Sequence, residues 1–342
     1  MNWQKKPVLG QKGLRLCITF GLFCILLFVF GQLNTGFLSA DSVNSLLRES
    51  AIVGIMAVGM SFVIITGGID LSVGSNMALT AMICANLLRY SKVPMIPAVA
   101  LSLLAATACG CLNGIAITKL KLPDFIVTLA AMNIYRGLTK IISRNDLDSL
   151  NNSMIQNQAF KALGGKVASV YLVVWVFLIL AVVGHLILNH TKTGLYTFAI
   201  GSNSRSATLS GISFSGVKIF AYTITGFLAG VAGVMICARM MTATTVTGEG
   251  MEFNVIAAVV LGGTSLAGGR GSIVGSFIGA LMITMISSGI TQMGLSSCYQ
   301  YIIKGVIILI AMIFDGWFFR RFAARPSDGG ASEMAARTEK EG

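Results

Sequence analysis

Charge is what this chain has least of. Of its 342 residues, 11% are Asp, Glu, Lys or Arg and 55% are hydrophobic, with a mean hydropathy of +0.80. A soluble domain carries roughly 25% charged residues, so this composition cannot cover its apolar surface against water, and lipid must be its solvent. Histidine is nearly missing: His185 and His190 sit near the end of one apolar run, which leaves no Ser/His/Asp set and no His-Glu-x-x-His site. The seven cysteines lie mostly in or at the ends of apolar runs, where they act as small hydrophobes. Cys109-x-Cys111 lacks both the two-residue spacing and the second ligand pair of a zinc site. Gly-x-x-x-x-Gly-Lys-Ser/Thr is absent too, since Gly165-Lys166 is followed by Val167. Without that loop there is no backbone cradle for nucleotide phosphates. The chain therefore reads as a non-enzyme that binds no metal and no cofactor of its own.

What is present is a succession of apolar runs. A bilayer core takes about 20 apolar residues per helix, and on that ruler about ten spans are expected, near 14–33, 47–66, 71–89, 94–118, 123–143, 168–189, 216–238, 252–267, 272–290 and 297–318. An eight-span reading stays open if one of the glycine-divided pairs enters and leaves on the same side. The expected fold class is an all-α polytopic membrane protein. A net charge of +12 would suggest nucleic acid in a soluble protein, but these cations cluster between the runs, as positive-inside topology requires. With both termini cytoplasmic, Lys5, Lys6, Lys12, Arg15, Lys119, Lys121, Lys192, Arg205, Lys218, Arg270, Arg320 and Arg321 share that side. The organisation expected is a short cytoplasmic segment at 1–13, a transmembrane domain at 14–318 with a cytoplasmic loop at 190–215, and a polar, disordered tail at 319–342.

Two stretches break the apolar pattern: Gly67-Gly68-Ile69-Asp70-Leu71-Ser72 and Gly262-Gly263-Thr264-Ser265 with Gly268-Gly269-Arg270-Gly271. Irregular backbone at membrane depth is tolerated only inside protein or along a water-filled cavity, and interrupted spans point to a translocation path. Gly67, Gly68, Gly262 and Gly263 are therefore candidate path or gating positions. Asp70 has two readings, a gate or a cap on the next helix with Ser72. Asn133 and Arg136 can line a path for hydroxyl-bearing solutes, or Arg136 can snorkel to the external interface. Asn76, Asn113 and Asn254 can line the path or bond helix to helix. Glu249 and Glu252 fit a solvated external loop. In the 190–215 loop, Ser202 or Asn203 is placed to cap a short helix that Gly211 ends.

These residues carry a resemblance. Gly59-Met60-Ser61-Phe62-Val63-Ile64-Ile65-Thr66-Gly67-Gly68-Ile69-Asp70-Leu71-Ser72-Val73-Gly74-Ser75 resembles the signature of permease subunits of ribose-type ABC sugar importers. Three further blocks agree in order: Leu122-Pro123-Asp124-Phe125-Ile126-Val127-Thr128-Leu129 with Tyr135-Arg136-Gly137; Ala199-Ile200-Gly201-Ser202-Asn203 with Ala207 and Ser210-Gly211-Ile212; and residues 257–275. The likeness covers about residues 15–318. Asp124 and Ser206 depart from it, standing where the family has a small or apolar residue and an alanine.

The resemblance implies import of a ribose-like monosaccharide across the bacterial inner membrane. It implies as partners a separate ATP-binding subunit that uses ATP and Mg, a periplasmic sugar-binding protein, a second permease subunit (a copy or a paralogue) and membrane lipid, with no nucleic acid. It also implies that Gly201, Asn203, Ala207 and Gly211 belong to a loop docking on the ATPase, with the small Ala207 seated in the partner's groove. The rival is an ion-coupled secondary transporter of a small polar solute, which wants ionisable residues at the midplane; only Arg136 and Lys304 come close.

Overall fold

In the computed structural model, residues 8–33, 36–143, 155, 157–296, 298–303, 305–306 and 309–310 are described. The whole of the expected 319–342 tail, and more than half of both the 1–13 segment and the 297–318 span, lie outside them. The helices are α1 (Val8–Leu33), α2 (Ala40–Ile65), α3 (Val73–Arg89), α4 (Met95–Lys119), α5 (Asp124–Ile142) and α6 (Gln158–Leu163). A two-residue hairpin, β1 (Lys166–Val167) with β2 (Val170–Tyr171), then leads into α7 (Leu172–His190) and α8 (Lys192–Ser202). The short α9 (Ser204–Leu209) precedes α10 (Phe214–Met240), α11 (Met251–Leu261) and α12 (Ile273–Gln292). Residues 298–303 are helical as well.

Seven of these, α1, α2, α4, α5, α7, α10 and α12, are long and apolar enough to cross a membrane. The expected count of about ten is not reached among the described residues. At 1.5 Å per residue, the 17 residues of α3 extend about 26 Å and the 11 of α11 about 16 Å, against a hydrocarbon core of about 30 Å. Both short helices are the ones adjoining the glycine breaks.

Helix α2 is the hub. Every residue from Ser50 to Ile65 is buried, and α10, α12, α7 and α11 pack around it. The closest seam joins α10 to α4, and small residues cause it. A Cβ on Gly110 would lie 2.9 Å from the Gly226 Cα, one on Gly114 would lie 2.7 Å from the Ile219 Cα, and one on Gly230 would lie 2.5 Å from the Ala106 Cβ. Ala106, Gly110 and Gly114 recur every fourth residue, the small-xxx-small spacing that lets membrane helices approach to van der Waals contact. The outer faces of α1, α4, α5 and α7 expose Phe20, Phe28, Leu104, Ile141, Ile179 and Val182. That surface is suited to lipid chains and to nothing aqueous.

Candidate functional site

The two glycine breaks, far apart in sequence, meet. Helix α2 ends at Ile65, and its carbonyl accepts a hydrogen bond from the Gly269 N–H at 2.8 Å. A Cβ on Gly268 would lie 3.0 Å from the Gly67 nitrogen and 2.9 Å from the Gly201 carbonyl oxygen. Gly67, Gly263, Gly268 and Gly269 all have positive φ, between 71° and 84°, where a side chain is strained. Gly201, at the end of α8, has no room for a different reason: a Cβ there would collide with the Ile65 carbonyl and sit 2.5 Å from the Gly269 nitrogen. The coupling-loop glycine is thus wedged between both breaks. Gly262 closes the C-terminus of α11 against Gly275 of α12.

From this junction the first break climbs along α11. Gly67 lies beside Gly268, beyond the C-terminus of α11, while Gly74 lies against Gly248 and Glu252 at its N-terminus. Residues 68–72 therefore run as non-helical backbone inside the protein, and α3 starts within the bundle. Two polar clusters satisfy this backbone. In the first, the Asp124 carboxylate pairs with Lys218 and accepts from the Tyr222 hydroxyl at 2.8 Å. The Tyr222 hydroxyl lies 3.3 Å and the Thr128 hydroxyl 3.2 Å from the Ile69 carbonyl.

In the second cluster, Asp70 Oδ1 accepts from the Ser72 N–H at 2.8 Å and the Ser72 hydroxyl at 2.6 Å. The Asn113 amide donates to Ser72 Oγ at 2.8 Å, and the Tyr135 hydroxyl donates to Asn113 Oδ1 at 3.0 Å. A buried polar chain thus links the break to α4 and α5. Asp70 bonds the backbone and hydroxyl of Ser72, the residue ahead of α3, and neither side chain caps the helix itself. Asp70 is 1% exposed, inside the bundle.

The other candidates separate. Asn76 donates to the Ala106 carbonyl of α4 at 3.1 Å, a helix-to-helix bond. Among the described residues, Asn254 reaches the Met251 sulfur of its own helix at 3.5 Å. Asn133 is exposed on the outer face of α5 and bonds back to Leu129, away from the breaks. Arg136 neither lines the interior with it nor lies free: its guanidinium donates to the carbonyls of Thr245 at 3.2 Å and Thr247 at 2.6 Å, tying α5 to the loop before α11. Glu252 corrects the solvated-loop expectation, being 6% exposed, with no hydrogen-bond partner for its Oε2 among the described residues.

The expected helix in the 190–215 loop is present. The Asn203 side chain accepts from the Ser206 N–H at 2.9 Å. At its end, Gly211 takes φ 84°, and Ile212 N–H returns to the Ala207 carbonyl at 3.1 Å, the glycine-terminated stop. Ala207, however, does not face outward. It is buried against Ile200 and Val217, because the return of the chain folds that methyl onto α8 and α10. The exposed surface of α9 is Ser204, Arg205, Ser206, Thr208 and Leu209, and all of these but Ser206 line a shallow groove with Phe214; Leu209 is 84% exposed.

Sequence reasoning missed α8 as a helix, Lys218 and Tyr222 as partners of Asp124, and Leu209. One signal was available for Lys218: a carboxylate within an apolar stretch needs a countercharge, and Lys218 is the cation at the start of another span on the same expected side.

Comparison with known proteins adds the following. Residues 42–312 match the family model described as branched-chain amino acid transport system / permease component. The chain is similar to the ribose import permease protein RbsC of Bacillus subtilis, with 41% identity over 86% of this chain and 90% of the relative. It is also similar to the Escherichia coli K12 protein of the same name, with 38% identity over 85% and 90%. A third relative is the fructose import permease protein FrcC of Rhizobium meliloti, with 35% identity over 87% and 84%. No solved structure matches the chain.

Proposed function

The chain belongs to the branched-chain amino acid transport system / permease component family, and on that footing we propose that it is the permease subunit of an ABC importer for a ribose-like monosaccharide. The sugar class follows from relatives named for ribose and fructose import at 35–41% identity. The observation that carries the mechanism is the contact of Gly201 with both glycine breaks, since it joins an exposed short helix to irregular backbone inside the bundle. A separate ATPase subunit, with its ATP and Mg, engages the Ser204–Thr208–Leu209 face of α9. Its closure shifts α9 and the end of α8, and the Gly67–Ser72 and Gly262–Gly271 segments rearrange together. The path then opens alternately to a periplasmic sugar-binding protein and to the cytoplasm. A second permease subunit, a copy or a paralogue, completes the path, and the inner membrane houses it with both termini cytoplasmic.

Proteoliposomes holding this chain with its ATPase and binding protein test the reading. ATP-dependent uptake of labelled ribose, absent when the ATPase is omitted, is the expected result. Uptake of leucine in place of any sugar overturns the substrate class. Uptake on a proton or sodium gradient without the ATPase overturns the ABC reading and restores the secondary-transporter one.

A further inference from the structure

The Asp124–Lys218 pair joins the first residue of α5 to the first turns of α10, with Lys218 4% exposed. Lys218 is buried and the Asp124 side chain is 20% exposed; burying a charge is expensive, and apolar residues of similar size commonly pack as stably, so stability alone is a weak reason for the pair. Its position is a better one. The charged and hydroxyl groups converge on Gly68: a Cβ there would collide with Asp124 Oδ2, and would lie 2.7 Å from the Tyr222 hydroxyl and 2.9 Å from Lys218 Nζ. Tyr222 and Thr128 both reach the next carbonyl, that of Ile69. The first break is seated on this cluster.

The cluster also has a mechanical input. α10 begins at Phe214, three residues past the Gly211 stop of α9, with Ser213 capping it through the Gly216 N–H at 3.2 Å. Val217, the neighbour of Lys218, packs on Ala207 of α9 and Ile200 of α8. A displacement of α9 therefore moves the turn that carries Lys218. Apolar contacts transmit a push but slide under a pull; a partly buried ion pair reinforced by a hydroxyl resists both.

We propose that Asp124, Lys218 and Tyr222 form a latch that passes the movement of α9 to the Gly67–Ser72 break, as positioning residues that do not touch the solute. The proposal rests on the reading of α9 as the ATPase-facing element. In the reconstituted complex, Asp124→Asn and Lys218→Gln should keep permease abundance, ATPase co-purification and ATP hydrolysis within twofold of wild type. Ribose imported per ATP hydrolysed should fall tenfold or more. The double replacement Asp124→Lys with Lys218→Asp, which restores a pair of opposite polarity, should recover at least a third of that ratio. Tyr222→Phe keeps the pair and the packing, and should lose about threefold. Single variants with a wild-type import ratio overturn the latch. So does a parallel fall of abundance, hydrolysis and import, with no recovery in the double variant, because that pattern is structural damage alone. The two failures are separable: a wild-type complex that imports no ribose refutes the sugar reading, whereas Lys218→Gln importing as well as an active wild type refutes the latch.

Discussion

Replacing Gly201 with alanine should destabilise the protein, although the same change in a free helix stabilises it. Gly201 lies in α8, and a glycine in a helix interior is disfavoured by about 1 kcal/mol relative to alanine. Against that gain stands the position of the added methyl, which falls on the Ile65 carbonyl and beside the Gly269 nitrogen, the two atoms joined by the 2.8 Å hydrogen bond between the breaks. Severing that bond costs about 1 kcal/mol, and stranding its buried partners about 1–3 kcal/mol. Forcing the segments apart adds about 1–3 kcal/mol of overpacking. The net is a loss of about 2–6 kcal/mol. Denaturation of the purified protein in detergent measures it, with Gly21→Ala in α1 as the control, since a methyl there meets nothing within 4 Å. The control should match or slightly exceed wild type. Gly201→Ala with an unfolding midpoint equal to wild type would refute the reasoning, because it would mean that the breaks and the end of α8 are not in contact.

Three other outcomes follow from the same geometry. Leu209→Asp puts a carboxylate on the exposed apex of α9 while leaving the buried Ala207 side untouched; permease abundance should be normal and ATPase co-purification should drop tenfold or more, measured by pull-down from membranes. Asn113→Leu removes the amide between Ser72 and Tyr135 and should cost about 1–3 kcal/mol by denaturation, with a coupling to Tyr135→Phe well below additive in a double-mutant cycle. A cysteine in place of Ser206, in a cysteine-free background, should resist impermeant thiol reagents in intact spheroplasts and react after lysis; labelling in intact cells would invert the proposed orientation.

Long apolar runs and glycine punctuation were readable in the sequence because each is a local property. Helix α4 occupies 95–119 against an expected 94–118, and α9 starts at its Asn203 cap and stops at Gly211 as chain chemistry alone dictates. Hydropathy failed where burial in protein, not lipid, sets the requirement. The non-helical 68–72 segment, the half-length α11 and the interior position of Asp70 depend on partners more than 40 residues away, such as Asn113. Ala207 misled because a small residue on a loop helix fits a partner's groove and a tight internal return equally well; only the fold of Ile212 onto Ala207 decides. The site's central fact, the meeting of residues 65, 201 and 269, is a tertiary contact that no local window contains.

The burial of α2 has a consequence in time. Its main neighbour α10 begins at Phe214, about 150 residues after α2 ends, and synthesis at 5–20 residues per second delays that neighbour by roughly 8–30 s. Until α7 emerges late in that interval, α2 stands among lipid or insertion machinery without the helices that will enclose it. Glu49, nearly three turns into the helix, waits for Arg239, to which it will bond at 2.6 Å. The helix is therefore written for two solvents in succession, apolar enough to be tolerated by hydrocarbon first and shaped closely enough to be enclosed by protein later. Substitutions in α2 that preserve hydropathy but alter shape should pass insertion and fail at assembly, leaving full-length protein in the membrane that quality-control proteases recognise.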